Sequence, residues 1–398
     1  MSKEIHHKSA EKLRAIITDL LTNTSVSFGT TKFDYNFRLY DKISLELNKR
    51  RLDYKTDAIG CMLIYMDAVK AFSKRHGFDE KKEYIKFNEM NTAIFDDAVN
   101  FVMDVYLSLP MNYKVKIPLS NIDFRCDSLD RFDLNINKEK IIKVGLQEKY
   151  EYQSLLTVIG NGCFSVYEEK IFMKGVLLKV NILLFFLKKF KVVKHERDSS
   201  IHNGWDWFGL QEKHDVPVIR ASIESVDFPE IESYSVLSIS FSKYLKELNV
   251  TKGYSEKEKS DDVDQALYIT DLLIKDETRE GERIKSAIDW FMQAEITDDA
   301  TMSFLQICMG LESIFGDDDY EGGLTNSLAD RCSYLIGKNI TERKEIKVQF
   351  KEIYKLRSKI VHGVKGYLSM QEMEIKNKAN KYLNNSIIKE VMNIGFLS

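Results

Sequence analysis

The sequence predicts an α+β protein in which a mixed α/β N-terminal region is followed by an all-helical C-terminal bundle. Three observations predict it. Apolar residues recur at spacings of three and four through the first hundred positions, alternate with polar ones between about 111 and 245, and return to helical spacing from about 263 onward, where no proline occurs. With 398 residues, 44% hydrophobic and 30% charged, the chain is too long for one small core and too apolar for disorder. Roughly two domains are expected.

In the first block Ile59, Met62, Met66 and Val69 share a helical face, as do Ile94, Ala98, Phe101, Val102 and Val105, and Pro110 closes the block. Beyond it Tyr113, Val115 and Ile117 alternate with Lys114 and Lys116, and Ile219, Ala221 and Ile223 with Arg220 and Ser222. Leu237, Ile239 and Phe241 alternate with serines in the same way, so this region reads as strand-rich. Residues 1–250 are therefore expected to form a mixed α/β region, helical to about 110 and strand-rich after. The polar stretch 251–262 has no apolar period and reads as a linker. Helical patterns at Ile284–Phe291, Met302–Phe315, Leu324–Leu335, Ile346–Val361 and Gln371–Val391 assign residues 263–398 to a helical domain.

Several function classes drop out early. Cys61, Cys126, Cys163, Cys308 and Cys332 are odd in number and scattered, with no Cys-x-x-Cys pair, and read as reduced structural thiols. Met1 to Leu20 lacks the continuous apolar run of a signal peptide, and Val176–Leu187, interrupted by Lys179 and Asn181, is too short to span a bilayer. A cytoplasmic protein with no membrane partner is expected. Asp317, Asp319, Glu321 and Gly322 imitate the start of a calcium loop, but Leu328 stands where a bidentate glutamate is required, so a surface acidic turn is expected. Gly160-Asn161-Gly162 lacks the third glycine of a dinucleotide turn and reads as a hairpin turn. His195 and His202 are not at ligand spacing, and neither H-E-x-x-H nor G-x-S-x-G occurs, so neither a metal nor a cofactor is expected. Trp205-Asp-Trp207 could offer bases a stacking platform, although two core aromatics on one strand face suit it better.

The informative segment is 346–363. At about 100° per residue, Ile346, Phe350, Ile353, Tyr354, Ile360 and Val361 form one apolar stripe, and Arg357 falls in its middle, about 20° from Ile346. A charge there is costly unless paired or facing an interface. Glu312, on the flank of the Phe304, Cys308, Leu311 and Phe315 stripe, is its plausible structural partner. Lys347, Lys351, Lys355 and Lys359 make a ridge on the opposite face, with Ser358 and His362 among them. That ridge is either an ordinary solvated face or a surface that tracks phosphates beside a titratable group. Gly363 caps the helix at its C-terminus, where His362 is suited to proton transfer near neutral pH. Arg357 and His362 diverge by about 140° on an ideal helix. Either the helix end distorts, or two chains pair so that both residues border one cleft.

The spacing Arg357-x4-His362 alone carries little, because Arg197 and His202 repeat it in Ser/Asn/Gly-rich sequence without an apolar stripe. The wider context carries more. Ile284-Lys-Ser-Ala-Ile-Asp-Trp290, Phe304 through Leu311-Glu312-Ser-Ile-Phe315, Leu328-Ala-Asp-Arg331 with Leu335, and Tyr354-Lys-Leu-Arg357-Ser-Lys-Ile-Val-His362-Gly363 resemble, in order and spacing, the ApeA-like HEPN family. The resemblance covers roughly residues 263–398 and does not reach the N-terminal 250.

It implies a metal-independent endoribonuclease used in antiphage defence by abortive infection, acting as a homodimer with a composite site. His362 would be the general acid/base and Arg357 would hold the phosphate, supported by Ser358, Glu312 and Tyr354, while Lys351, Lys355 and Lys359 would bind RNA, with tRNA among the candidate substrates. Where the broader class often has Asn, Asp or His after the arginine, this chain has Ser358, which can hydrogen-bond a phosphate but adds no charge. Residues 1–250 are then expected to be a sensor or regulatory region that meets a phage-derived or nucleotide trigger. The rival readings are a non-catalytic helical module for dimerisation or partner binding, and a nucleotide-binding regulator.

Bulk charge first argues against nucleic acid, since 58 Lys+Arg stand against 61 Asp+Glu. Its distribution does not: residues 261–340 carry a net charge of −12 and residues 341–398 one of +6. Positive charge concentrates on and after the helix that holds Arg357 and His362.

Overall fold

The computed structural model describes residues 5–27, 30–33, 36–49, 56–78, 84–119, 129–131, 133–143, 149–163, 169–195, 218–251, 256–316 and 324–397. Cys126, Arg197 with His202, Trp205-Asp-Trp207 and the acidic turn beginning at Asp317 lie outside them. The α+β class holds: helices and sheets share the N-terminal part, and the C-terminal part is all helical. The chain divides into two compact units, one formed by residues 1–117, 157–176 and 220–236, the other by 118–156, 177–219 and 237–398. The units thus interleave along the chain, whereas the sequence reading divides it near 250.

In the first unit α1 (His7–Thr22), α2 (Phe37–Leu47), α3 (Ala58–Arg75) and α4 (Thr92–Ser108) build a helical core around Leu13, Ile17, Tyr65, Phe72, Val102 and Tyr106, all buried. Asp57 and Asn91 start α3 and α4 by accepting from the backbone N–H of Gly60 (2.7 Å) and Ile94 (2.9 Å). The first hundred residues are not purely helical. A small antiparallel sheet of β1 (Ser25–Ser27), β2 (Thr30–Lys32) and β3 (Ile85–Lys86) sits among them, with Val26 opposite both Thr31 and Ile85. These strands are too short to register as a period in sequence.

The alternation at 111–119 is a strand, β4 (Met111–Leu119), with Met111, Tyr113, Val115, Ile117 and Leu119 buried. Three more strands are β7 (Lys149–Gly162), β9 (Arg220–Ser225) and β10 (Glu232–Val236). In the first unit their order is β10–β9–β4–β7, with Val115 opposite Ile223 and Tyr234 opposite Ser222. Gly160-Asn161-Gly162 closes β7 as strand and is not a hairpin turn. A Cβ on Gly160 would stand 2.7 Å from the ring of Phe172, so close packing is what glycine serves there.

Two stretches of the expected strand-rich region are helical. The apolar run lies in α5 (Glu169–Lys189), and the serine-alternating run forms α6 (Ile239–Lys246). Ser238 caps α6 by accepting from the N–H of Phe241 (3.2 Å), and Phe241, Tyr244 and Leu245 bury one side while Ile239 is left exposed, so the spacing of three and four prevails over the alternation.

The second unit carries β5 (Leu129–Arg131) antiparallel to β6 (Leu134–Lys143), the pair β8 (Val193–His195) and β11 (Leu248–Val250), and helices α7 (Glu256–Lys275), α8 (Arg279–Ile296), α9 (Ala300–Phe315), α10 (Leu324–Ile336), α11 (Ile340–Val361) and α12 (Met370–Asn393). Residues 256–262, expected as linker, are the first turns of α7: Glu-Lys-Glu-Lys is strongly helix-forming although it has no apolar period. Caps set the bundle, with Thr278, Asp299 and Asn339 starting α8, α9 and α11, and Ser369 and Glu372 making a reciprocal capping box on α12. Helix α9 packs on α8 and α12, and α11 on α10. A Cβ on Gly310 of α9 would meet the buried Leu383 of α12 at 2.6 Å, so glycine permits that close approach.

Cys61, Cys163, Cys308 and Cys332 are buried. Burial pushes the Cys332 thiol up to about 12, so it stays protonated. Among the described residues no helix is long and apolar enough to cross a membrane.

Candidate functional site

Asn339 begins α11 by accepting from the N–H of Glu342 (2.9 Å), and Glu342 in turn accepts from the N–H of Lys338 (2.8 Å), so the helix starts a turn and a half before the apolar stripe that reveals it. Ile346, Phe350, Ile353, Tyr354 and Leu356 are buried, and the Phe350 and Tyr354 rings stack at 4.9 Å. The stripe fades at the last turn, where Ile360 is half-buried and Val361 is 50% exposed. Gly363, at φ +70°, closes the helix, and the N–H of Val364 returns to the carbonyl of Lys359 (2.9 Å).

Arg357 has the partner expected for it. Its Nη2 lies 3.3 Å from Glu312 Oε1 on α9, and both side chains are about one-third exposed, so the pair borders the core without being sealed into it. Tyr354 lies beside this pair with a buried hydroxyl that makes no well-formed hydrogen bond. Burial first, then the Glu312 carboxylate, holds its phenol well above the ordinary range, with Arg357 opposing. The Cys308 thiol is raised for the same reasons in the same order. Arg357, Glu312, Tyr354 and Cys308 thus form one electrostatic cluster between α9 and α11. Glu312 and Tyr354 are legible in the sequence from their helical angles, whereas Cys308 stands there only as part of an apolar stripe.

His362 is exposed and forms the C-cap of α11, its N–H donating to the carbonyl of Ser358 (3.0 Å). Ser358 is also exposed. Because the helix is uninterrupted through Val361, Arg357 and His362 leave its axis about 140° apart. Of the two options left open by the spacing, distortion of the helix is therefore absent, and one chain does not aim both residues at one point.

The lysine ridge is divided. Lys347 docks on α10, 2.5 Å from Asp330 and above the Tyr334 ring, and the hydrogen bond to Asp330 raises its pKa. Lys351, Lys355 and Lys359 are exposed and form no ion pair with the described residues. Close to His362 along the chain, the apolar residues Val361, Val364, Tyr367 and Met370 are 50%, 75%, 77% and 79% exposed.

On the other side of Glu312 a shallow cleft of ≈ 380 Å³ is lined by Arg279, Glu282, Arg283 and Ser286 of α8 with Ser313 and Gly316. Arg283 Nη2 donates to the Gly316 carbonyl at 2.5 Å, which ties the end of α9 to α8. The sequence signal for this cleft is the spacing of four between Arg279 and Arg283 on one helix face. Among the described residues no three His, Cys, Asp or Glu side chains are grouped to hold a metal ion. The arrangement offers a positioned guanidinium, an exposed imidazole one and a half turns away, and the open cations Lys351, Lys355 and Lys359 on the side of the helix that His362 faces. No known family, curated protein or solved structure matches this chain.

Proposed function

We propose that the protein is a metal-independent endoribonuclease of the HEPN kind that acts in antiphage defence by abortive infection. It works in the cytoplasm as a homodimer whose composite site joins Arg357 and His362 of two chains. The observation that carries the proposal is the presence of a guanidinium held at the core edge by Glu312 and an imidazole exposed at the cap of the same helix, followed in the chain by the exposed apolar residues Val364, Tyr367 and Met370. Since the regular helix keeps the two residues apart, a second copy seated on Val361, Val364 and Tyr367 supplies the shared cleft.

In this reading an imidazole of one His362 accepts the proton of a ribose 2′-hydroxyl as that oxygen attacks the adjacent phosphorus. The bond from phosphorus to the 5′-oxygen breaks, and the His362 of the second copy donates a proton to that leaving oxygen. A 2′,3′-cyclic phosphate and a 5′-hydroxyl end result. Arg357 stabilises the charge gathered on the non-bridging oxygens, Ser358 donates a hydrogen bond to the phosphate, Glu312 and Tyr354 hold Arg357 in place, and Lys351, Lys355 and Lys359 carry the strand. No protein nucleophile takes part.

The test is cleavage of single-stranded RNA, with tRNA as the first natural substrate, by purified protein in the presence of EDTA. Cyclic phosphate termini are expected, and an active preparation indifferent to both His362→Ala and Arg357→Ala overturns the mechanism. The Glu312–Arg357 ion pair also supports a second reading, a non-catalytic helical module in which the pair serves packing alone. That reading requires Arg357→Ala to lower the melting temperature strongly while His362→Ala is silent in every RNA assay.

A further inference from the structure

A second cleft in the same unit has chemistry that RNA cleavage does not use. It lies among the end of α5, α8 and the middle of α12, and its volume of ≈ 450 Å³ falls in the range of small-molecule sites. Lys188, Lys189, Lys191 and Lys381 line it against one acid, Glu295. That carboxylate is already engaged, 2.7 Å from Lys188 Nζ and 3.4 Å from Asn380 Nδ2, so it fixes those two side chains in position. Lys189, Lys191 and Lys381 are exposed and form no ion pair with the described residues. Three positive charges therefore converge on the cleft without a counter-charge of their own.

Lys191 stands at φ +59°, a left-handed position at the end of α5 where glycine would fit without strain. The turn around it is closed by the N–H of Val192 on the carbonyl of Leu187 (2.9 Å), and the lysine at its tip lines the cleft. On α12, Asn377, Asn380 and Asn384 follow at spacings of three and four and present amides from one helix face. Asn380 Oδ1 is buried without a donor. Phe185 and Phe291, packed edge to face at 5.3 Å, contribute the apolar part of the lining.

We propose that this cleft binds a ribonucleoside phosphate. The lysines take the phosphates, the asparagine amides offer donors and an unfilled acceptor to the edge of the base, and the buried phenylalanines form an apolar floor beneath it. Free phosphate would need the lysines alone, and the amides and aromatic rings are what select a nucleotide. None of these residues belongs to the Arg357–His362 site, so the proposal stands apart from the ribonuclease reading.

Isothermal titration of the full-length protein with ATP, GTP, CTP, UTP and inorganic triphosphate tests it. At least one nucleotide should bind one per chain, about tenfold or more tighter than inorganic triphosphate. The combined Lys189→Ala, Lys191→Gly and Lys381→Ala variant should lose about tenfold or more of that affinity while keeping its circular dichroism spectrum. Asn384→Ala should erase the preference for nucleotide over inorganic triphosphate and leave triphosphate binding unchanged. Saturation by none of the four nucleotides, or equal affinity for inorganic triphosphate in the wild type, overturns the proposal. So does an oligoribonucleotide whose binding depends on the three lysines when no mononucleotide binds, since the cleft would then be a track for RNA.

Discussion

Glu312 Oε1 on α9 stands 3.3 Å from Nη2 of Arg357 on α11, at the edge of the core and one-third open to solvent. The pair is exposed enough to be weak as a structural tie and buried enough to fix the direction of the guanidinium. A double-mutant cycle of Glu312→Gln and Arg357→Gln, followed by thermal unfolding, should therefore give a coupling of only about 0.5–1 kcal/mol. In the RNA assay Arg357→Gln should cost about a hundredfold or more in rate, and Glu312→Gln distinctly less. A coupling of several kcal/mol, with cleavage intact in Arg357→Gln, would assign the arginine to packing.

The three open lysines of α11 predict a salt effect. Replacing Lys351, Lys355 and Lys359 by alanine should weaken RNA binding at low salt and lower the slope of log affinity against log salt by about 2, since each phosphate contact on a single strand contributes about 0.7. Lys347→Ala should change that slope little, because Lys347 is held by Asp330. Fluorescence anisotropy over a salt series reads both.

Asp67 of α3 predicts how the first unit responds to pH. Burial raises its carboxyl to about 6, with Lys70 opposing. The folded state therefore holds the proton more tightly than the unfolded chain. The stability it confers is complete below about 4 and is lost as pH rises through 6. Asp67→Asn should flatten that part of the profile and stabilise the protein at pH 7.5 by at most about 3 kcal/mol. Melting curves between pH 4 and 8 decide it, and an unchanged slope in the variant removes Asp67 as the cause.

Gly310 predicts the tolerance of the α9–α12 contact. A side chain there runs into Leu383, which is fully buried. Gly310→Val should destabilise by about 2 kcal/mol or more, although glycine is itself unfavourable in a helix. Combining it with Leu383→Ala should recover part of the loss, whereas additive losses in chemical denaturation would show that the two positions do not meet.

Much of the helical bundle can be read from the order of residues, because amphipathic periods repeat over three or more turns in α8 through α12 and leave few other ways to bury their apolar faces. The same arithmetic places Arg357 on an apolar stripe, His362 off it and Glu312 within reach. Short elements escape it. Strands β1 to β3 are two or three residues long, and around α6 the serines allow either period until Ser238 caps a helix. Residues 256–262 depart from the expected linker for a related reason, since a charged helix such as the start of α7 has propensity without periodicity.

What the sequence determined by itself is the α+β class, the helical C-terminal part and the local positive charge on α11, all of them properties of neighbours along one helix or strand. Only the tertiary structure decided which of those charges are open. It docks Lys347 on Asp330 and leaves Lys351, Lys355 and Lys359 to solvent, and it brings Lys188, Lys189 and Lys191 beside Asn377, Asn380 and Asn384 from the far end of the chain. Periodicity orients a side chain about its own helix axis, whereas a cleft depends on how separate helices pack, and that is set by side-chain volumes at contacts such as Gly310 against Leu383.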